Sequence, residues 1–178
     1  MRLGERIGLE DVVAVARGAP VELGPEAVGR MRASRALVEE KVRAGETVYG
    51  VTTGFGALAG TRIDPGEADL LQERIVRSHA AAVGPALSRE EARAMLFLRA
   101  HVLAMGRSGV RPLLVERMVE LLNRDLVPVV PERGSLGASG DLAPLAHLAL
   151  PLLGRGAFLG PDGAPLPAGP ALAAAGLE

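Results

Sequence analysis

The sequence predicts a mainly α chain with a core of packed helices, and three observations carry that expectation. Apolar residues recur at three- and four-residue spacing in several separate runs. Those runs begin at helix-start signals: Pro25, the Ser88-Arg89-Glu90-Glu91 capping box and Pro112. The filling must come from Leu, Val and Ala, because 178 residues hold no Trp, three Phe and one Tyr. A chain of that length can bury a core of its own.

Leu9 to Arg17 reads as a short helix, with Glu10 and Asp11 at the positive end of its dipole and Gly18 just past its end. Pro25 opens a helix to about Ala44, where Val28, Met31, Val38 and Val42 form a stripe broken by Arg35 and Gly45 marks the stop. Thr47-Val48-Tyr49 is β-like. It feeds a glycine-rich run, Tyr49 to Gly60, whose Gly50, Gly54, Gly56 and Gly60 argue against a regular element. Asp64-Pro65-Gly66-Glu67 then supplies an N-cap, a first-turn proline and an acid at N3. In the helix that follows, Ala68, Leu71, Ile75 and Ala82 share a face with His79.

From Ser88 a helix runs through Leu96, Val102 and Leu103 to Gly106, and Pro112 starts another with the stripe Val115, Met118, Val119 and Leu122. Pro128 and Pro131 bracket an extended Val129-Val130. The stretch Gly134 to Leu145 leads into a helix from Leu142 to about Leu150, with Asp141 as its expected cap. Beyond Gly154 glycine, proline and alanine dominate. Pro161-Asp162-Gly163 marks a turn between Ala157-Phe158-Leu159 and Ala164-Pro165-Leu166, so a small β-hairpin or a flexible segment is expected there. The change in composition divides the chain into a mostly helical domain, residues 1–153, and a tail, residues 154–178. That tail stops near Ala171 where a new helix would start, and it reads as cut.

Composition narrows the function. A net charge of -1 leaves no basic excess for a nucleic-acid surface. No apolar run approaches a membrane span, and Glu5, Glu10 and Asp11 interrupt the stretch where a signal peptide carries its apolar core. A cytoplasmic location is therefore expected. There is no Cys for disulfides or thiolate metal sites, and no histidine pair at metal-ligand spacing, so no metal is expected. The glycine-rich run after Tyr49 lacks the Gly-Lys-Ser/Thr ending of a phosphate loop.

The chemistry gathers at Ala138-Ser139-Gly140. The bare tripeptide suits any small-residue turn before a helix. Its setting allows more. Gly137 and Gly140 permit backbone geometries closed to other residues. If the Gly140 nitrogen attacks the Ala138 carbonyl, a five-membered ring closes with loss of that oxygen as water, and dehydration of Ser139, the second water, leaves an exocyclic methylene. A chain without Cys would thus build an electrophile from its own backbone. Tyr49, the sole tyrosine, is either a packed ring with a satisfied hydroxyl or a proton-handling group. A free phenol with a pKa of about 10 needs help to act as a base. His79 is either a core histidine or a ligand for substrate, whereas His101 and His147 read as structural.

The longer string Gly134 to His147, G-S-L-G-A-S-G-D-L-A-P-L-A-H, resembles the signature around the 4-methylidene-imidazol-5-one group of the aromatic amino acid ammonia-lyases, in their histidine branch. Tyr49 to Gly56 is similar to the family's tyrosine-bearing loop. Leu71-Gln72 through Ser78-His79-Ala80-Ala81 to Gly84 is similar to its substrate-facing helix, and Arg99 to Arg111 to a further block. The matches stand in order across most of the chain. The resemblance implies the N-terminal portion of the ammonia-lyase/fumarase-like helical fold. It also implies elimination of ammonia from L-histidine to give urocanate, through an electrophile formed from Ala138, Ser139 and Gly140 with no added cofactor. Tyr49 and Ser139 would be catalytic, His79 would bind the substrate ring, and Asp141 would support maturation.

The same resemblance implies a homotetramer whose sites draw on several subunits, so a chain matching roughly the first third of the family would lack a complete site. Thr52 stands where histidine-specific members often carry Asn, while His101 and Arg107 replace residues commonly Asn and Tyr. Other readings stay open. One is a phenylalanine or tyrosine ammonia-lyase, or an aminomutase with the same electrophile. Another is a non-catalytic helical module with an uncyclised loop, whose bare apolar faces would drive association, for instance as an intertwined dimer.

Overall fold

A computed structural model describes residues 1–56, 60, 63 and 68–177. The expectation of a mainly α chain holds. Helices α1 (Leu9–Ala16), α2 (Pro25–Arg43), α3 (Ala68–His79), α4 (Arg89–Ala104), α5 (Pro112–Asn123), α6 (Leu142–Ala149) and α7 (Ala168–Ala174) account for most of the regular structure. The capping signal expected at Asp64-Pro65-Gly66-Glu67 lies outside the described residues.

Helix α4 is the axis of the core, packed by α1, α2 and α5. Its start is built as the sequence implies: the Ser88 hydroxyl accepts from the Glu91 amide, and the Glu91 carboxylate accepts from the Ser88 amide at 2.9 Å. Those Ser88 bonds hold the Glu91 carboxyl below its ordinary range. Leu96, Phe97 and Ala100 on α4 are fully buried, beside Val15 of α1, Met31 of α2 and Val115 and Leu121 of α5. Phe97 and Phe158 are the two large aromatic fillers, and the rest of the core is aliphatic.

Three short strand pairs complete the chain among the described residues. β1 (Arg2–Leu3) lies parallel to β2 (Glu22–Leu23), a pairing too short to leave a sequence pattern. β3 (Val83–Ala86) runs antiparallel to β4 (Pro131–Arg133). β5 (Ala157–Leu159) and β6 (Pro165–Pro167) form the expected hairpin, with Phe158 driven into the core. Val129, extended as expected, donates its amide to Ala157.

Two expectations need correcting. Thr47-Val48-Tyr49 is not a strand. Thr52 Oγ1 accepts from the Val48 amide at 2.8 Å and donates to the Glu46 carbonyl at 2.7 Å, which rolls the segment into a turn. β propensity has little force where no partner strand lies alongside and a local hydroxyl offers competing bonds. Asp141 does sit at the N-cap position of α6, but its carboxylate makes no capping bond. Its backbone is helical (φ -101°, ψ -13°), whereas a capping side chain needs an extended backbone to reach the free amides.

Candidate active site

The Ala138-Ser139-Gly140 loop and the end of α3 are held on one frame. β3, which follows α3 after a three-residue link, pairs with β4, which leads into the loop; Val83 opposes Arg133 and Ala86 opposes Pro131. On the far side of the loop, α6 packs against α3. At the junction the Ala82 amide donates to His147 Nε2 on α6 at 3.2 Å. Gly134 closes the frame: a Cβ placed there would fall 2.4 Å from the Ala82 Cβ and 3.3 Å from that of Ala143. Only glycine permits that approach.

Within the frame the loop makes a turn over residues 137–139, flanked by Gly137 at φ +82° and Gly140 at φ +70°. Ala138 and Ser139 are exposed. The Ser139 hydroxyl makes no hydrogen bond among the described residues. A side chain at position 140 would meet both the left-handed backbone and Ser135 Oγ at 2.8 Å.

His79 is the last residue of α3 and is exposed, so the core-histidine reading does not hold. The stripe that it shares with Leu71 and Ile75 is only half-buried. Its Nδ1 lies 2.8 Å from the Ile75 carbonyl and 3.2 Å from Ser78 Oγ, which itself donates to that carbonyl at 3.0 Å. A carbonyl oxygen only accepts, so the contact assigns the proton to Nδ1 and leaves Nε2 as an acceptor. An exposed acceptor on a ring steadied by its own helix can take an N–H from a ligand.

Tyr49 sits in the turn after α2, 63% exposed, with its ring edge-on to Phe55 at 5.8 Å. Its oxygen accepts from the Gly56 amide at 3.4 Å, leaving its own proton for another partner. No hydrogen bond among the described residues joins this turn to His79 or to the Ser139 loop. The β3–β4 pairing and the packing of α6 on α3 thus link the elements that carry two of the three expected centres, His79 and the Ser139 loop. Ala82, expected on the α3 stripe, lies beyond the end of that helix, and neither its close approach to Gly134 nor its bond to His147 leaves a pattern in the sequence. His147 is half-buried and His101 is buried, its Nδ1 accepting from the Gly4 amide, which agrees with structural roles.

A cavity of about 440 Å³ lies elsewhere, between α5, α7 and the turn Leu150–Leu153, lined by Leu121, Leu152, Leu172 and Leu177 with Arg117. It holds none of the expected site residues. Among the described residues no three His, Asp or Glu side chains gather where a metal could bind, and no helix is long and apolar enough to cross a membrane.

The profile of one family, aromatic amino acid lyase, matches residues 7–178. The chain belongs to that family. Over 98% of its length this family member is 55% identical to the histidine ammonia-lyase of Anaeromyxobacter dehalogenans, of which it covers 36%. Among solved structures it is similar to a tyrosine aminomutase from Streptomyces globisporus, at 39% identity and a TM-score of 0.91 over 98% of this chain and 33% of that one. It is also similar to the histidine ammonia-lyase of Trypanosoma cruzi, at 38% identity and a TM-score of 0.88 over all of this chain and 35% of that one. The chain spans about a third of the length of the curated relatives it matches. This member of the aromatic amino acid lyase family carries the Ser139 loop on a frame that ties strand, helix and glycine to the end of α3.

Proposed function

We propose that this chain belongs to an enzyme that eliminates ammonia from L-histidine to give urocanate, acting in the cytoplasm as a homotetramer. One observation supports the reading most: the β3–β4 pairing couples the exposed acceptor nitrogen of His79 to the Ser139 loop, in a chain 55% identical to a histidine ammonia-lyase.

Ala138, Ser139 and Gly140 suit the 4-methylidene-imidazol-5-one group, since they are small, left-handed at Gly140, and end in an unengaged hydroxyl. That group, once formed, supplies an electrophile able to draw electron density from the substrate. The rest falls to side chains. His79 Nε2 accepts the imidazole N–H of the substrate and so orients it. Tyr49 exchanges a proton at its phenol oxygen, which Gly56 holds in place. Asp141, next to Gly140 in the chain and making no capping bond, supports maturation. Segments beyond this chain, and neighbouring subunits, complete the pocket.

The test is an assay of the full-length protein with L-histidine, L-tyrosine and L-phenylalanine, beside its intact mass. Urocanate from histidine and a mass lower by two waters are expected, with both lost in Ser139→Ala. Turnover of tyrosine with no urocanate would instead favour the tyrosine enzymes to which the fold is equally close.

A further inference from the structure

We infer that His147 is a positioning residue for the proposed substrate site: its Nε2 holds the Ala82 amide and thereby sets where Ser78 and His79 stand relative to the Ala138-Ser139-Gly140 loop. This rests on the reading above that His79 takes the substrate ring.

The bond spans 65 residues of sequence at 3.2 Å. A backbone amide only donates, so Nε2 carries the lone pair and Nδ1 the proton. Burial pushes the His147 imidazole below its ordinary pKa, which keeps it in the accepting form. Both ends of the bond are short levers. On one side, Ala80 donates to Val76 in the last turn of α3 and Ala81 to His79 in a tight γ-turn, so only a short, internally bonded link separates His79 from the captured amide of Ala82. On the other, α6 starts at Leu142, directly after the loop, and Ala143, one turn before His147, abuts Gly134.

Another polar tie to α3 among the described residues, from Arg155 beyond α6 to Glu73 at 2.6 Å, grips the helix nearly two turns before its end, too far back to set the orientation of His79. Removing the His147 acceptor leaves the Ala82 amide without its partner, so the link between His79 and β3 is fixed only from the Val83–Arg133 pairing onward and by contact with Gly134, and the end of α3 can shift. His79 follows.

The test uses the full-length protein with His147→Leu, which removes the acceptor at similar bulk, and His147→Gln, whose Oε1 restores one without titrating. His147→Leu should raise the KM for L-histidine about tenfold, with kcat changed far less, because the chemistry survives and the substrate is misplaced. Hydrogen–deuterium exchange across residues 80–86 should speed up by about the same factor. His147→Gln should bring both back to within about threefold of the parent.

Unchanged exchange in His147→Leu overturns the tie, and faster exchange with an unchanged KM overturns the positioning role. Failure of Gln to restore either, in a variant that melts like the parent, does the same. If His147→Leu fails to fold, His147→Asn replaces it, since its oxygen sits one bond closer to the backbone and falls short of Ala82. A parent enzyme that turns over tyrosine and not histidine defeats the substrate reading alone, and the KM comparison on tyrosine then decides the role of His147.

Discussion

The guanidinium of Arg93 lies 2.8 Å from the carboxylate of Asp125, and the pair locks three helix ends together. Arg93 is 2% exposed on α4. It also donates to the carbonyls of Val15 at 3.0 Å and Leu122 at 2.9 Å, which belong to the last turns of α1 and α5. Asp125 holds the one positive φ outside glycine among the described residues, +55°, and also receives Arg89 at 2.9 Å. Arg89 in turn donates to the carbonyls of Leu159 and Gly160 in the hairpin.

Arg93→Met should therefore destabilise the protein by about 3 kcal/mol, since it strands two buried carbonyls that the arginine satisfies. Asp125→Ala should cost clearly less, because its side chain is 58% exposed and water can replace much of what it gives. Urea midpoints for both variants check the order. An Asp125 variant as unstable as Arg93→Met would show that the ion pair, not the carbonyls, carries the effect.

Stability should fall with acid in a window set by His101 and His147. Burial disfavours charge on His101 and His147, so both fold with pKa values below the ordinary 6.5. The unfolded chain then binds protons that the folded chain refuses. Their contribution is complete above about pH 6.5 and is lost as the pH drops below that value toward the folded pKa values. Protonated His101 also loses the Gly4 amide that it accepts at 3.3 Å. His101→Asn keeps an acceptor at that place without titrating, so its unfolding midpoint should drop less than the parent's between pH 7.5 and 5.5. Equal drops would remove His101 from the account.

His79→Leu in the full-length protein should raise the KM for L-histidine about 10- to 100-fold, the cost of leaving a substrate N–H unpaired in its site. Ser78→Ala should do much less, because the Ile75 carbonyl still holds His79 Nδ1 at 2.8 Å. Steady-state kinetics on histidine decide, and an unchanged KM in His79→Leu would remove this side chain from the substrate's surroundings.

Gly134→Ala should cost about 1–3 kcal/mol, because its methyl would fall 2.4 Å from the Ala82 Cβ and no flexible side chain there can yield. Pairing it with Ala82→Gly should recover part of that loss, by removing the methyl it strikes. Thermal melts of the two single variants and the double variant measure the coupling. Strict additivity would mean that the two residues do not meet as described.

By itself the sequence determined what short-range chemistry governs. The Ser88–Glu91 box, the Pro25 and Pro112 starts and the turn at Pro161-Asp162-Gly163 all stand where their residues imply, because caps and turns are settled within a few bonds of chain. The Ala138-Ser139-Gly140 loop was legible as a turn for the same reason: Gly137 and Gly140 take the positive φ that glycine allows. What the sequence could not decide was which faces are covered. His79 lay on an apolar stripe and is exposed among the described residues. Asp141 reached the N-cap position but not the backbone angles that capping needs. The Ala82–His147 bond lay wholly beyond sequence reading, since one partner is a backbone amide that every residue but proline carries. Only the packing of α3 on α6 and the pairing of β3 with β4 brought that amide within reach of an imidazole, and with it the end of α3 to the Ser139 loop.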